Sequence, residues 1–209
     1  MKRKKATSTA LLDQNPFTFD QRLQERRNNI KIYPKNLSQE NYLLKLNDES
    51  KHIVFAIGPA GTGKTMLAVQ WAIDQLKHGE KMRLVITRPA VSVDEQHGFL
   101  PGDLNEKMEP WTKPIFDIVK ENFDYRRIQT MIREGVIETS PLAYMRGRTF
   151  KDAIIIADEM QNATPSQMKM LLTRLGQGSK MVVTGDLQQA DRPSENGLLE
   201  FLGLYNNFE

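Results

Sequence analysis

The segment that most constrains the fold of this chain is Gly-Pro-Ala-Gly-Thr-Gly-Lys-Thr, at residues 58–65. It matches the pattern G-x-x-x-x-G-K-[ST] at every fixed position, between an apolar run at 53–57 and a segment of helical apolar spacing at 66–76. Glycine lets the backbone wrap a phosphate group, and the loop amides and the helix N-terminus supply partial positive charge. This context predicts a phosphate-binding loop. Its residues are Gly58, Pro59, Ala60, Gly61, Thr62, Gly63, Lys64 and Thr65.

The side chains at the end of this loop, with two acidic residues further on, predict the chemistry. Lys64 would reach the β- and γ-phosphates of a nucleoside triphosphate, and the Thr65 hydroxyl would bind Mg²⁺. A second apolar run, at 153–157, ends in Asp158 and Glu159. We expect Asp158 to hold the Mg²⁺ through water and Glu159 to orient or deprotonate the attacking water.

A further candidate follows the apolar run at 181–184, which leads into Gly-Asp-Leu-Gln at 185–188. A glutamine amide at that place can bridge the γ-phosphate and the attacking water, so we assign this role to Gln188. Loss of the γ-phosphate would then move the loop, which couples hydrolysis to motion. The alternative is an ordinary Gly-Asp turn with an idle glutamine.

Strand and helix patterns alternate along the chain, which predicts an α/β protein with a mainly parallel sheet and right-handed crossovers. The expected fold is a P-loop NTPase, three-layer α/β/α with a RecA-like sheet and its site beyond the carboxyl ends of the strands. We expect a basic, mostly disordered tail at 1–30 and one ATPase domain at 31–209. The predicted strands are 52–57, 84–87, 136–139, 153–157 and 181–184; the predicted helices are 38–46, 66–77, two within 103–134, 165–175 and 194–204.

Two helix starts carry recognisable capping residues. Ser38 is the expected N-cap of the first helix. In the helix predicted at 165–175, Thr164 is the expected N-cap, Pro165 stands at the first helical position, and Gln167 completes a capping box.

Charge and composition exclude several classes of protein. The net charge is +3, but residues 2–5 are all Lys or Arg, so the rest of the chain carries about −1. The basic tail could contact RNA, DNA or an acidic surface, or be a solvated end. The chain has no cysteine and three scattered histidines, which gives no disulfide and no metal-ligand spacing. No apolar run reaches membrane-spanning length and the start is too polar for a signal peptide, so we expect a cytoplasmic protein, in the host cytoplasm if a phage encodes it.

The order of the motifs is similar to that of motor ATPases that resemble superfamily 1 helicases. Those proteins carry a glutamine upstream of the phosphate loop that reads adenine. Gln39, within Asn-Leu-Ser-Gln-Glu at 36–40, resembles that residue. A polar helix start is the alternative. The resemblance implies that the nucleotide is ATP.

Six segments resemble the PhoH family, and the similarity extends over residues 36–205. The family implies an ATP-binding P-loop ATPase allied by sequence to superfamily 1 helicase cores. In the acidic motif, Met160 stands where the family usually has Ala. The segments are Thr-Arg-Pro-Ala-Val (87–91), Gly-Phe-Leu-Pro-Gly-Asp-Leu-Asn-Glu-Lys-Met (98–108), Arg-Gly-Arg-Thr (146–149), Asp-Glu-Met-Gln-Asn (158–162), Leu-Thr-Arg-Leu-Gly (172–176) and Gly-Asp-Leu-Gln-Gln-Ala-Asp (185–191).

Three arginines in these segments are candidate phosphate contacts. Arg146 and Arg148 could bind phosphates of a nucleotide or of a nucleic acid, or form a solvated pair. Arg174 is either an arginine finger or a cation that the dipole of its predicted helix favours. In superfamily 1 helicases a second core of the same chain supplies the arginine finger, whereas this chain has the motifs of a single core. We therefore predict that a second copy supplies it, in a homo-oligomer that is a hexameric ring.

The sequence thus favours Mg²⁺-dependent binding and hydrolysis of ATP, coupled to RNA or single-stranded DNA as a partner. The first alternative is a nucleotide or small-molecule kinase, which shares the loop but generally lacks a water-directing Glu after the metal-binding Asp. The second is a non-catalytic interaction module that binds ATP. Strand unwinding has the least support, because no face that combines aromatic and basic residues is evident.

Overall fold

The computed structural model describes residues 30–89, 104–191 and 193–206. None of the helices in these ranges has the length and apolar character needed to cross a membrane. The predicted tail at 1–30 falls almost wholly outside the described residues and stays a prediction, as does the boundary at 31. The strands are β1 (Ile53–Ile57), β2 (Arg83–Arg88), β3 (Ile137–Pro141), β4 (Ala153–Ala157) and β5 (Lys180–Gly185); the helices are α1 (Leu37–Asn47), α2 (Lys64–His78), α3 (Leu104–Lys120), α4 (Tyr125–Arg133), α5 (Pro165–Leu172) and α6 (Gly197–Asn206).

The five strands form one parallel sheet in the order β1-β5-β4-β2-β3. In this register Ile57 lies beside Gly185, so β1 and β5 end at the same level. The sheet confirms the predicted α/β fold of the RecA-like P-loop class. One strand, β5, separates the strand of the phosphate loop from the strand that ends in Asp-Glu, and β1 and β3 form the two edges.

Helices cover both faces of the sheet, which gives the predicted three layers. Ile154 and Ile156 of β4 pack in the core beneath α1, α2, α3 and α4. Ile155 and Ala157 pack on the other side, with α5, α6 and a short 3-10 helix at Leu142–Met145. Successive strand residues point to opposite faces, so a strand covered on both faces is apolar at every position, as β4 is.

The local sequence signals were right at one helix start and wrong at two. The Thr164 capping box forms, with Gln167 returning its side-chain oxygen to the Thr164 amide. At α1 the N-cap is Asn36, not Ser38, because the Asn36 side chain accepts from the Gln39 amide and the helix begins one residue earlier. Helix α6 starts at Gly197 instead of 194, since residues 193–195 form a separate 3-10 turn.

Helix α5 is shorter than predicted because a long-range contact ends it. It stops at Leu172, whereas the apolar spacing continues to Leu175. Leu175 leaves the helix to form a parallel bridge with Phe150. The Phe150 carbonyl then lies so close to Gly176 that a side chain at 176 would collide with it. Arg174 therefore lies beyond the helix instead of in its last turn.

Candidate nucleotide site

The phosphate loop follows the carboxyl end of β1, and its last two residues, Lys64 and Thr65, are the first two of α2. Gly61 and Gly63 have φ values of +74° and +84°, a left-handed conformation that residues with side chains rarely adopt. Lys64 Nζ donates to the carbonyl oxygens of the first two loop residues, at 2.7 Å each. This holds an ammonium group against the loop, at the end of the sheet where the other predicted site residues lie.

Asp158 and Thr65, the two predicted Mg²⁺ ligands, are in direct contact. The Thr65 hydroxyl donates to Asp158 Oδ1 at 2.6 Å, and the Thr184 hydroxyl donates to the same oxygen at 2.5 Å. Asp158 is 7% exposed. Among the described residues no group of three or more His, Cys, Asp or Glu side chains could hold a metal. One carboxylate and one hydroxyl fit Mg²⁺, which takes few protein ligands and completes its shell with water and phosphate oxygens.

A cavity of about 240 Å³ lies between the phosphate loop and the ends of β4 and β5. Its lining includes Lys64 and Thr65 from α2 and Glu159 from the end of β4. The cavity thus brings together the ammonium, hydroxyl and second carboxylate that the sequence assigns to one reaction.

The glutamine that borders this cavity is Gln189, and the predicted Gln188 does not border it. Gln188 is exposed, and its backbone amide donates to Asp186 Oδ1 at the start of a 3-10 turn over Leu187–Gln189. In a 3-10 turn consecutive side chains point in different directions. Gln188 and Gln189 therefore face different sides, and only Gln189 lies beside the loop. The sequence has glutamine at both 188 and 189, and the segment Gly-Asp-Leu-Gln at 185–188 led to the assignment of the first.

Asp186 is a site residue that the sequence analysis assigned no role. It is 6% exposed, and its Oδ2 accepts from the backbone amide of Ala60 in the phosphate loop at 2.9 Å. The carboxylate therefore ties the loop to the end of β5. The signal was present in the sequence, as the Asp of the Gly-Asp motif.

Gln39 lies beside the phosphate loop, where the resemblance to helicase cores places an adenine-reading residue. Its Nε2 donates to the carbonyl of Thr62 at 3.0 Å, and its Oε1 accepts from the amide of Lys35 at 2.7 Å. A second cavity, of about 540 Å³, opens between α1 and the loop, and its walls include Gln39, Tyr42 and Phe55. A cavity with apolar and amide walls suits a nucleobase. The adenine-reading role stays a prediction.

Tyr42 links this second cavity to the phosphate loop, and the sequence analysis assigned it no role. Its hydroxyl donates weakly to the carbonyl of Lys64, at 3.4 Å. Burial raises the pKa of the Tyr42 hydroxyl far above its usual value, and the nearby negative charge of Asp158 raises it further. Tyr42 is therefore a neutral hydrogen-bond donor throughout the physiological pH range.

The three candidate arginines lie away from the phosphate loop of their own chain. Arg148 forms a two-point ion pair with Glu138, with Nη2–Oε2 at 2.8 Å, and stacks over the ring of Phe150. Arg174 donates to the carbonyls of Met170 and Arg148, at 3.1 and 3.0 Å. These bonds hold the guanidinium at the end of α5, which favours the alternative of a cation at a helix end over that of an arginine finger.

Arg146 differs from the other two arginines because its side chain is exposed. Within the described part of the chain it makes no ion pair or side-chain hydrogen bond that competes with a ligand. It follows β3, which is the opposite edge of the sheet from β1 and the phosphate loop. With strands about 4.8 Å apart, these edges are separated by roughly 19 Å.

A parallel sheet flanked by helices, with a glycine-rich phosphate loop after one strand and an aspartate after another, defines a P-loop NTPase. A family model described as PhoH-like protein matches residues 31–209. The chain belongs to the PhoH-like protein family.

Several bacterial proteins of this family are similar to the chain. The PhoH-like protein of Bacillus subtilis (strain 168) is 47% identical over 177 residues, 84% of this chain and 54% of that protein. The PhoH-like protein of Mycobacterium tuberculosis (strain ATCC 25618 / H37Rv) is 51% identical over 162 residues, 78% of this chain and 46% of that protein. Protein PhoH of Escherichia coli (strain K12) is 42% identical over 171 residues, 81% and 48% respectively. The chain spans about half the length of the curated relatives it matches.

Among solved structures, the chain is similar to one described as the Sulfolobus solfataricus SWI2/SNF2 ATPase core in complex with dsDNA. The match has a TM-score of 0.48 and 15% identity, and it covers 75% of this chain and 33% of the other. A likeness at this level says nothing about what this chain binds.

Proposed function

We propose that this chain binds ATP together with Mg²⁺ and hydrolyses its terminal phosphate. The observation that carries the proposal is the 2.6 Å contact between Thr65 and Asp158, which joins motifs 93 residues apart at the phosphate loop. Lys64 and Glu159 border the same cavity. An ammonium, a hydroxyl, a buried carboxylate and a second carboxylate are the groups that phosphoryl transfer to water requires.

In this proposal each side chain has a separate task. Lys64 and the loop amides hold the β- and γ-phosphates and offset the charge that develops as the γ-phosphoryl group leaves. Bound Mg²⁺ would be held by Thr65 and Asp158 and would neutralise phosphate charge. Glu159 accepts a proton from the attacking water, and Gln189 takes the water-bridging role assigned to Gln188.

The test is phosphate release from ATP, with no added acceptor, in Mg²⁺ and in EDTA. We expect Mg²⁺-dependent release, loss of nucleotide binding in Lys64→Ala, and a fall in turnover of about 10²-fold or more in Glu159→Gln with binding retained. Transfer to a small acceptor with little release of free phosphate would favour a kinase. ATP binding without turnover in the unaltered protein would favour the interaction module.

We include RNA or single-stranded DNA as a partner, because the motif order resembles that of helicase cores that act on such strands. Phosphate release should rise when single-stranded RNA or DNA is added, and the stimulation should weaken with increasing salt as phosphate contacts are screened. An identical rate with and without both nucleic acids would remove this part of the proposal and leave the ATPase intact.

We further propose that the ATPase is a ring of identical subunits, most simply a hexamer, in which a neighbour supplies an arginine to each site. The support is geometric: Arg146 and Arg148 lie after the edge strand opposite the phosphate loop, and Arg146 is exposed. An arginine at that edge can reach the loop of a second copy but not its own. Two experiments test this: the dependence of phosphate release on protein concentration, and the mixing of two variants that are each impaired at a different part of the shared site.

A further inference from the structure

Gln161 is a buried side chain that the proposed reaction has not used. It is 1% exposed and lies in the short 3-10 helix that follows Glu159. Its Nε2 donates to Glu159 Oε2 at 2.5 Å, and its Oε1 accepts from the backbone amide of Asp186 at 3.0 Å. The two ends of one carboxamide therefore bind the ends of two different strands, β4 and β5.

The backbone conformation of Glu159 directs the following 3-10 helix, and with it Gln161, towards the site. Glu159 has φ +55° and ψ +41°, a left-handed conformation that is disfavoured for any residue with a Cβ. Asp152 is the other non-glycine residue in the described ranges with a positive φ. Strain of this kind persists where surrounding contacts fix it, and here those contacts include the bond from Gln161 to the Glu159 carboxylate.

Gly185 permits the close approach of Gln161 to β5. A Cβ at this position would lie 3.1 Å from Gln161 Oε1 and 2.5 Å from Leu198 Cδ2. The carboxamide therefore packs closely against Gly185, the last residue of β5. Its orientation is set by the fold and not by solvent.

The contacts form a continuous path from the phosphate loop to Glu159. The Ala60 amide donates to Asp186 Oδ2, the Asp186 amide donates to Gln161 Oε1, and Gln161 Nε2 donates to Glu159. We propose that Gln161 is a positioning residue, whose side chain aims the Glu159 carboxylate at the attacking water and ties that aim to the phosphate loop. This inference rests on the proposed ATPase function.

Two variants of Gln161 separate positioning from simple support of β5. Gln161→Met keeps the volume and loses both hydrogen bonds. Gln161→Glu keeps the acceptor for the Asp186 amide but places a carboxylate against Glu159, which it repels. If Gln161 merely supports β5, Gln161→Glu should restore the activity that Gln161→Met loses. We expect instead that kcat falls at least about tenfold in both, while KM for ATP and binding of a fluorescent ATP analogue change less than about threefold.

A double-mutant cycle with Glu159→Gln tests whether Gln161 acts through Glu159. In single-turnover hydrolysis, Gln161→Met should have little further effect once Glu159 is Gln, because the residue it positions is already lost. Gln167→Met is the matched control. It removes the capping-box bond to the Thr164 amide, 2.9 Å long, and should lower the unfolding midpoint while kcat stays close to that of the unaltered protein.

The outcomes distinguish this inference from the proposed function. If the unaltered protein releases no phosphate from ATP, the ATPase proposal fails. If it is active, and Gln161→Met retains its kcat or the effects of the Gln161 and Glu159 changes simply multiply, the positioning role is overturned and the ATPase proposal stands. Should Gln161→Met fail to fold, recovery of wild-type kcat in Gln161→Glu would overturn the role equally.

Discussion

Asp158 accepts hydrogen bonds from two hydroxyls, those of Thr65 and Thr184, on one carboxylate oxygen. In the proposed site Thr65 is a metal ligand, whereas Thr184, 1% exposed at the end of β5, holds the carboxylate in place. Thr184→Val removes the hydroxyl at nearly constant size. A hydrogen bond to a charged group contributes about 1.5–3 kcal/mol, so we expect the Mg²⁺ concentration for half-maximal phosphate release to rise roughly tenfold or more.

Ser179→Ala is the control for this change. Ser179 is also buried, and its hydroxyl binds the Phe150 carbonyl and the Ala153 amide at the amino ends of the strands, away from the phosphate loop. It should lower the free energy of unfolding and leave the Mg²⁺ dependence unchanged. An equal rise in both variants would mean that the Thr184 effect is general destabilisation.

The two adjacent glutamines that follow β5, Gln188 and Gln189, allow a second comparison between two variants. Gln189 borders the cavity with Lys64 and Glu159, whereas Gln188 does not, although both side chains are exposed. We therefore expect Gln189→Ala to lower turnover at least about tenfold, because its amide would contact the reacting phosphate. Gln188→Ala should have a smaller effect, measured as kcat for phosphate release. The opposite order would restore the assignment to Gln188.

Residue by residue, the sequence could predict those groups whose place is set by motif spacing. Lys64 and Thr65 are the last residues of the loop, and Asp158 directly follows β4, so the parallel sheet brings them together. Thr184 and Gln161 could not be assigned in this way. Their roles arise from contacts between the ends of β4 and β5, which lie far apart in sequence.

At the scale of elements, Lys180 fixes the end of α1, the helix that carries Gln39. Its Nζ donates to the carbonyls of Leu46 and Asp48, at 2.5 and 2.8 Å, and it lies 5.5 Å from the ring centre of Trp71. Lys180→Met leaves carbonyls at the helix end without their donor. We expect a loss of about 1–3 kcal/mol in unfolding free energy, measured by chemical denaturation at pH 8.

The same lysine predicts a pH dependence. Burial lowers the pKa of Lys180 below its ordinary 10.5, with a smaller opposing effect from Asp48. The unfolded chain then binds more protons than the folded one between the lowered value and 10.5, so the stability that Lys180 contributes rises with pH through that window. The difference in unfolding free energy between the unaltered protein and Lys180→Met should widen from pH 8 to pH 10. A constant or narrowing difference would contradict this.

Element boundaries were predictable where the local sequence decides them. Strand β4 has the predicted bounds, since it is buried on both faces and all five residues are apolar. Helix α5 was predicted three residues too long, because its end is set by the bridge between Leu175 and Phe150. The apolar spacing of the helix carries no information about that contact, so it could not predict where the helix ends.

For the whole molecule, the fold class followed from the alternation of strands and helices, but the order of strands did not. That order matters because it places β1 and β3 at opposite edges. The phosphate loop follows one edge strand and Arg146 the other. The prediction of an arginine supplied by a second copy thus gains a geometric reason that strand patterns alone could not provide.

Mixing two impaired variants tests that arrangement directly. Glu159→Gln keeps Arg146 and loses its own hydrolysis, whereas Arg146→Ala keeps its own Glu159 and loses the arginine it offers a neighbour. In a ring, random mixing places an intact site next to an intact arginine at about a quarter of the interfaces, so the mixture should regain up to about that share of wild-type phosphate release. Activity per subunit of the unaltered protein should also fall on dilution, because separated subunits lose the finger.

Arg133→Ala, which alters an exposed arginine at the end of α4, is the control for the mixing experiment and should by itself be as active as the unaltered protein. Arg146→Ala should lower kcat at least about tenfold. The loss should be smaller than the 10³–10⁵-fold rate effect of a complete arginine finger, because the remaining ring still orders the site. Full activity in Arg146→Ala would exclude this residue. A third outcome is that Arg146→Ala is impaired and the mixture regains no phosphate release, although size-exclusion chromatography shows that the two variants form mixed oligomers. In that case Arg146 acts within its own chain, and the ring model loses its geometric support.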